Sequence, residues 1–559
     1  MATSQDGADA ERPDDVTDTA LAAVAGLSQE AGIHRDRVRA VLALIVAGPV
    51  SLADAVRLAA VPRRTVEELL TALGPDLDRI SRRGEEEEFR LRPDRVAQYR
   101  PLLGRVSRPP SEPRQPGFED HADLVATTTE DIASGPPPLP HLDHVPATPT
   151  SVVNRALWLR DTYDLVDARV MFLGDHDLTS LALGGLCPDL PITVVDLDER
   201  VLEHIDTIAT RRGLRVRCLH ADLRFGLPPT AVRQADLVFT DPPYTEEGIG
   251  LFAARGVEAL RAGTGRLLVA YGYSARTPRL GLTVQRQLGR LGLLFEAILP
   301  DFDRYVGAQA IGSSSDLYVC RPVSGAGRRP QDAPSNIYTH GAQSVEAAGR
   351  TAERTADWTS RLRDLVGATD DDSAPRRVDW SEPVGPPGGV LLADATGDQG
   401  FGPLRILLAA SADRVAVLVP DGHPDVVDEA GQRRLAGLLE GRYQLRFHRG
   451  VPGRGQAVIA ATPAGPAEDP ARPADRTGSR LAEGEWCARQ LLRRAHGRVD
   501  NVWREALIRR RAADGVSLNK KEARELVRRL APRREDLAER LIDLPRHRLA
   551  ELLAAVRAS

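Results

Sequence analysis

Cysteine is scarce in this chain: Cys187, Cys218, Cys320 and Cys487 are the four in 559 residues, and none stand in paired spacing. That scatter fits reduced thiols better than a disulfide frame or a zinc site, and implies no metal. Long apolar runs are missing too. No stretch approaches the ~20 uncharged apolar residues of a membrane span, and the N-terminus is too polar for a signal peptide. A soluble, cytoplasmic protein with no membrane partner is the expectation. Lysine is almost absent, with Lys520 and Lys521 standing alone among the arginines of a chain rich in Ala, Gly and Pro. This is read as compositional bias. The net charge of -5 supplies none of the global basic footprint that phosphate binding needs, so nucleic acid is not an expected partner.

What is present is ample core material, 42% hydrophobic residues, in a chain long enough for roughly three to four domains. Residues 1–30 are acidic and polar and are expected to be disordered. Residues 31–105 show an apolar helix from Arg37 to Val46, a helix capped by Ser51, another from Thr65 to Leu73, and alternation over Leu77–Leu91 around Arg82-Arg83-Gly84. This pattern resembles a winged helix. Arg63 and Arg64 would enter its recognition helix, but Glu67, Glu68 and the run Glu85–Glu88 would repel phosphate. Structural use or dimerisation is the expectation for this domain, which leaves a homodimer open. Residues 106–150 are dense in proline and read as a linker.

Residues 151–323 alternate strands and helices. Strands are expected at Arg169–Leu173, Ile192–Val195, Val216–Leu219, Leu237–Thr240, Arg266–Tyr271, Leu293–Leu299 and Ser315–Cys320. The fold class is α/β, a Rossmann-like doubly wound sheet. Residues 324–378 connect to a smaller α/β module at 379–462. After a linker, 479–559 read as amphipathic helices with basic runs, a solvated bundle or partner-binding tail.

In open parallel sheets ligands sit at the carboxyl ends of the strands. Four such ends here carry acids: Gly174-Asp175-His176-Asp177, then Asp196 and Asp198, then Asp222, then Asp241-Pro242-Pro243-Tyr244. Asp196 or Asp198 can accept ribose hydroxyls, and Asp222 the adenine amino hydrogen. The first loop keeps Gly174 but presents Asp175 and Asp177 where glycine-rich fingerprints offer amides to an anion. Two carboxylates would repel the carboxylate of S-adenosylmethionine and attract the ammonium of its decarboxylated form. The proline-fixed turn offers acceptors to an incoming amine, and Tyr244 a packing surface. An alkylamine is mostly protonated at neutral pH, so a carboxylate must take or orient its proton; Asp177 and Asp241 are the candidates. His176 can orient a carboxylate or water. Glu246, Glu247, Asp301, Asp303 and Asp316 would make an acceptor channel negative and concentrate a polycation.

Gly174-Asp-His-Asp177 followed by Leu-Thr-Ser180, Val195-Asp-Leu-Asp-Glu-Arg200, Asp222-Leu-Arg224 and Asp241-Pro-Pro-Tyr-Thr245 resemble the branched-chain polyamine synthases, the N(4)-bis(aminopropyl)spermidine synthase family. The resemblance covers about residues 34–345. It implies a winged-helix-like domain before a Rossmann-like one, a catalytic role for Asp177, and aminopropyl transfer from decarboxylated S-adenosylmethionine to spermidine with release of methylthioadenosine. The chain departs from that pattern in roughly two hundred further C-terminal residues and in the loops Asp301–Val306 and Gly307–Ser315. Two other readings stand beside it. Asp-Pro-Pro-Tyr also resembles the motif of S-adenosylmethionine-dependent amino N-methyltransferases, and an idle donor site behind a DNA-binding domain would make a polyamine or nucleoside sensor.

Overall fold

The computed structural model of the chain describes residues 13–31, 35–81, 86–103, 121–261, 265–274, 276–323, 336–340, 344, 356–368, 375–398, 400–465 and 481–559. The expected turn at Arg82–Gly84, residues 1–12 of the expected disordered segment and most of the 462–478 linker lie outside these residues.

Residues 13–30 correct the expectation of disorder: Pro13–Glu30 is a helix. Its Ala20, Leu21, Val24 and Leu27 recur at helical spacing and close the N-terminal core, where Val24 is fully buried. Three more helices, Arg35–Ala47, Leu52–Ala59 and Arg63–Leu73, pack with an antiparallel sheet of β1 (Val50–Ser51), β2 (Leu77–Ile80) and β3 (Glu88–Leu91) in the order β1-β3-β2. Ser51 caps its helix by accepting the Asp54 N–H at 3.1 Å. Arg63 pairs with Glu67 and reaches Gln309 at 3.0 Å, Glu68 pairs with Arg276, and Arg37 lies 3.2 Å from Asp301. The arginine-bearing start of the Arg63–Leu73 helix therefore faces the next module. Gly312 makes that approach close: at φ +94° it would set a Cβ 3.1 Å from the Val61 carbonyl carbon.

The central sheet has seven strands: β4 (Val170–Leu173), β5 (Ile192–Asp196), β6 (Val216–His220), β7 (Leu237–Thr240), β8 (Arg266–Tyr271), β9 (Leu293–Arg304) and β10 (Ser314–Pro322). Their order is β6-β5-β4-β7-β8-β10-β9, parallel from β6 to β8, with β10 antiparallel to both neighbours. Separate apolar cores lie on its two faces, one around Phe172, Val194 and Phe239 and the other around Met171, Val238 and Val269. Burial on both faces explains why these strands read as unbroken apolar runs. Chain order reverses between β4 and β7, which opens a crevice at their carboxyl ends.

This module begins earlier than its expected start at 151. Residues 121–150 are not a free linker: Ala122–Ala133 is a helix whose Asp131 pairs with Arg212 at 2.6 Å, and Leu142 and Ala147 are buried. The C-terminal expectation also needs correcting. The second sheet, β11 (Val390–Asp394), β12 (Arg414–Pro420), β13 (Tyr443–Arg449) and β14 (Gln456–Pro463) in the order β11-β12-β14-β13, does not stand apart from a solvated tail. Leu404, Val417 and Ile459 share one core with Trp486, Leu491, Trp503, Leu549 and Leu553. The apolar stripes of the last helices are spent on that sheet, so the described residues of 378–559 fold as one unit. Among the described residues no helix is long and apolar enough to cross a membrane.

Candidate functional site

The loop from β4 to the helix Thr179–Leu186 turns sharply through two left-handed residues, Gly174 (φ +72°) and Leu178 (φ +64°). The second is costly for leucine and is held by the contacts of the loop between them. Asp175 spends both carboxylate oxygens on the N–H groups of Thr179 and Ser180, at 2.9 and 3.0 Å. It is a buried helix cap, which corrects its expected place against the donor. Asp177 turns the other way, under the sheet's end.

There it meets Arg155, which sequence reading missed. Arg155 projects from the helix Pro149–Thr162 and is 1% exposed. Its guanidinium donates to three carboxylates: Nη1 to Asp177 Oδ2 at 2.8 Å, Nη2 to Asp241 Oδ2 at 2.7 Å, and Nε to Asp303 Oδ1 at 2.8 Å. Tyr305 adds a hydroxyl, donating to Asp241 at 2.6 Å and lying 3.0 Å from Arg155 Nη2. Ala147 N–H donates to the other oxygen of Asp177 at 2.8 Å, and His176 Nε2 lies 3.3 Å from it. Asp303 also accepts from Ser315 at 3.2 Å. Acids from the ends of β4 and β7 and from β9 are thus gathered on one cation.

Their charges respond to this packing. Burial pushes Asp241 up to about 6, against the pull of Arg155 and with a further push from Asp177 and Asp303. Burial also raises Asp303 despite Arg155. At Asp177 burial is outweighed by His176 and Arg155, and its carboxyl is held below the usual range. Burial opposes a charge on His176, but Asp177 and Asp241 overcome it and raise its pKa.

Beside this cluster runs a cleft of about 570 Å³, open mouth included, lined by Gly174, His176, Asp196, Asp222, Asp241 and Pro243 among the expected residues. Asp196 accepts the N–H groups of Asp175 and Asp198 at 2.9 and 2.8 Å, and burial raises its pKa to about 6. Asp222 accepts from Arg224 N–H and Nε at 3.0 and 2.8 Å. Between the two ribose candidates the structure separates clearly: Asp198 is fully buried, caps the helix Glu199–Arg212 and pairs with Arg200 at 2.6 Å, away from the cleft. Pro242 is buried and does not line the cleft. Tyr244 sits 3.3 Å from Asp241 through its hydroxyl and stands edge-on to Tyr271 and Tyr305.

Two expected acids lie elsewhere. Glu246 is exposed in the first turn of the helix Glu246–Ala259, 3.9 Å from Arg290. Asp301 pairs with Arg37 of the N-terminal helices. Glu246 sits in the first turn of a helix that Thr245 caps, Asp301 joins two modules, and neither lines the cleft. Conversely, Leu142, His144 and Tyr338 line it without having been expected. His144 stacks on His176 with centroids 4.5 Å apart, and burial lowers its pKa to about 2, so it presents a neutral ring. Tyr338 arrives with the segment 336–340, tied down where Thr245 donates to the Ile337 carbonyl at 2.7 Å. Gly248 is required there, since a Cβ would stand 2.8 Å from that carbonyl oxygen.

Residues 123–339 match the family model described as branched-chain polyamine synthase A C-terminal domain. An uncharacterized protein of Methanocaldococcus jannaschii is 35% identical over 177 residues, 31% of this chain and 44% of that protein. The N(4)-bis(aminopropyl)spermidine synthase of Thermococcus kodakarensis is 33% identical over 194 residues, 33% of this chain and 53% of its own length. The chain spans about half the length of the curated relatives it matches. A solved structure of the branched-chain polyamine synthase from Thermus thermophilus, in complex with N4-aminopropylspermidine and 5'-methylthioadenosine, is similar at 22% identity. It has a TM-score of 0.40 and covers 57% of this chain and 97% of that one. Residues 123–339, the stretch that matches the branched-chain polyamine synthase model, are the part of the chain that carries the cleft and the acids gathered on Arg155.

Proposed function

We propose that the module around the cleft transfers the aminopropyl group of decarboxylated S-adenosylmethionine to an amine nitrogen of a polyamine such as spermidine, releasing methylthioadenosine. One observation carries the reading: Asp177, Asp241 and Asp303 converge on Arg155 beside the cleft at the carboxyl end of the sheet. Asp196 and Asp222 would hold the nucleoside, through ribose hydroxyls and the adenine amino group. The acceptor amine would lie near Asp241, whose raised pKa suits a group that takes a proton near neutral pH. The nitrogen then attacks the methylene carbon next to sulfur as the carbon–sulfur bond breaks. The sulfonium charge disperses in that step, so alignment of nitrogen, carbon and sulfur supplies much of the rate. The match of residues 123–339 to the branched-chain polyamine synthase model supports the reaction class. In the same reading the central sheet, with its order reversal at β4 and β7, is Rossmann-like, and the N-terminal helices with β1–β3 are a winged helix used for docking.

A second reading, S-adenosylmethionine-dependent methylation of an amine, is favoured by one finding. Asp175 gives both oxygens to backbone N–H groups, so the first loop does not offer two free carboxylates to the donor tail. One experiment separates the two. Purified protein is incubated with spermidine and either S-adenosylmethionine or its decarboxylated form, and products are read by mass. Aminopropylated spermidine from the decarboxylated donor is the expected result; a methyl increment from the carboxylated donor overturns the proposal.

A further inference from the structure

We infer that the C-terminal unit, residues 378–559, forms the outer wall of the donor cleft and sets the affinity of the nucleoside part of the donor. The inference rests on the donor reading above and extends it to a part of the chain that lies outside the family match. Three contacts from this unit reach the loops that line the cleft. Phe401, 7% exposed, packs in one apolar cluster with Leu142, Ile337 and Tyr338, each of which lines the cleft. Trp380 stands edge-on to Phe225 with ring centroids 4.6 Å apart, directly after the Asp222–Arg224 turn. Arg405, fully buried, pairs with Glu199, and Arg546 reaches the same carboxylate at 3.1 Å, fixing the helix start that follows Asp196.

These contacts are not a loose domain interface. Leu197, a cleft residue, and Phe225 are themselves packed against the core of the C-terminal unit. Glu199 is held well into its ionised form at about 2, since Arg405 and Arg546 outweigh the cost of its burial. A buried pair of this kind is costly to break once made, because removing one partner strands the other charge. The loops after β5 and β6 and the segment 336–340 are therefore each backed by a side chain that the matched domain does not contain. Phe401 is a positioning residue in this scheme: it acts on the ligand through Tyr338 and Leu142.

The test measures binding of 5'-methylthioadenosine to the full chain by calorimetry, for wild type, Phe401→Ala and Phe401→Leu, with steady-state KM for donor and acceptor alongside. Phe401→Ala is expected to weaken the nucleoside about tenfold and to raise donor KM while acceptor KM holds; Phe401→Leu restores most of the affinity. Circular dichroism and thermal melting check that each variant folds. Should Phe401→Ala not fold, Trp380→Leu, which trims a single edge contact, takes its place with the same expectation. Unchanged affinity in a folded variant, or an equal rise in both KM values, overturns the wall assignment alone. No binding of 5'-methylthioadenosine to wild type overturns the donor reading, and the wall assignment falls with it.

Discussion

Replacing Arg155 with methionine tests the organisation of the site most directly. The substitution keeps the apolar stem of the side chain and removes the guanidinium, whose carbon lies 5.1 Å from the centre of the Phe239 ring and which Asp177, Asp241 and Asp303 share. Breaking a buried pair by deleting one partner costs about 3–5 kcal/mol, because a charge is left without compensation. Three carboxylates are stranded here, so the upper part of that range is expected at pH 8. The sign of the pH dependence follows from the protons. Without Arg155 the carboxyls in the folded chain rise above their unfolded value of ~3.9, so the folded state binds more protons than the unfolded one. Stability then falls as pH rises through the raised pKa values and is recovered toward the unfolded pKa. In the wild-type chain Asp241 already sits at about 6, and the variant moves it further up. The loss at pH 5.5 should therefore be clearly smaller than at pH 8. Urea unfolding of the full chain, followed by hydrogen exchange in peptides covering 149–177 and 237–245, reads this module apart from the others. A loss below ~1 kcal/mol, or an equal loss at the two pH values, would refute the assignment of Arg155 as the common counter-charge.

Asp177→Asn should lower turnover by about a hundredfold or more, the scale of a lost acid–base group, while binding of 5'-methylthioadenosine holds; retained turnover would remove Asp177 from the reaction. The rate should rise with pH through an apparent pKa of about 6 as Asp241 loses its proton, and Asp241→Asn should abolish that limb; an unchanged limb in the variant assigns it to another group. Asp175→Ala should cost about 1–2 kcal/mol of stability as a lost helix cap and leave the preference between carboxylated and decarboxylated donors unaltered; a switch in that preference would return Asp175 to the donor tail.

The strands of the central sheet were legible because burial on both faces writes them as apolar runs, and their acidic ends followed directly. Which acid does what was not legible. Asp175 and Asp177 are two residues apart and look equivalent in sequence, yet the αL turn at Leu178 sends one to the next helix and the other to Arg155. Asp196 and Asp198 divide in the same manner, one toward the cleft and one into a cap. Arg155 itself carried a signal that was passed over. It sits with Asn154 inside Val152, Val153, Ala156 and Leu157, and an arginine amid such a run needs a buried anion. The last helices misled for the opposite reason. Their basic runs at Arg509–Arg511 read as a solvated surface, although Trp486 and Trp503 lie on the other faces and are buried against the second sheet.

The acidity that first pointed to a cationic substrate therefore has two meanings at this site. Much of it is compensated within the fold: Asp198 by Arg200, Asp222 by Arg224, and Asp301 by Arg37, while burial raises the Asp175 pKa to about 7 despite its backbone N–H partners. The densest remainder is the set around Arg155, where three carboxylates face one guanidinium. Burial cannot sustain that excess of negative charge without a proton or another cation. The raised pKa of Asp241 and of His176 are the two ways the fold supplies it, and the proton belongs to the set more than to either residue. An ammonium group of a polyamine entering beside Asp241 would provide the missing charge and displace that proton. In the proposed function, selectivity for cations would come from what is left after internal pairing, which counting acids along the sequence overstates.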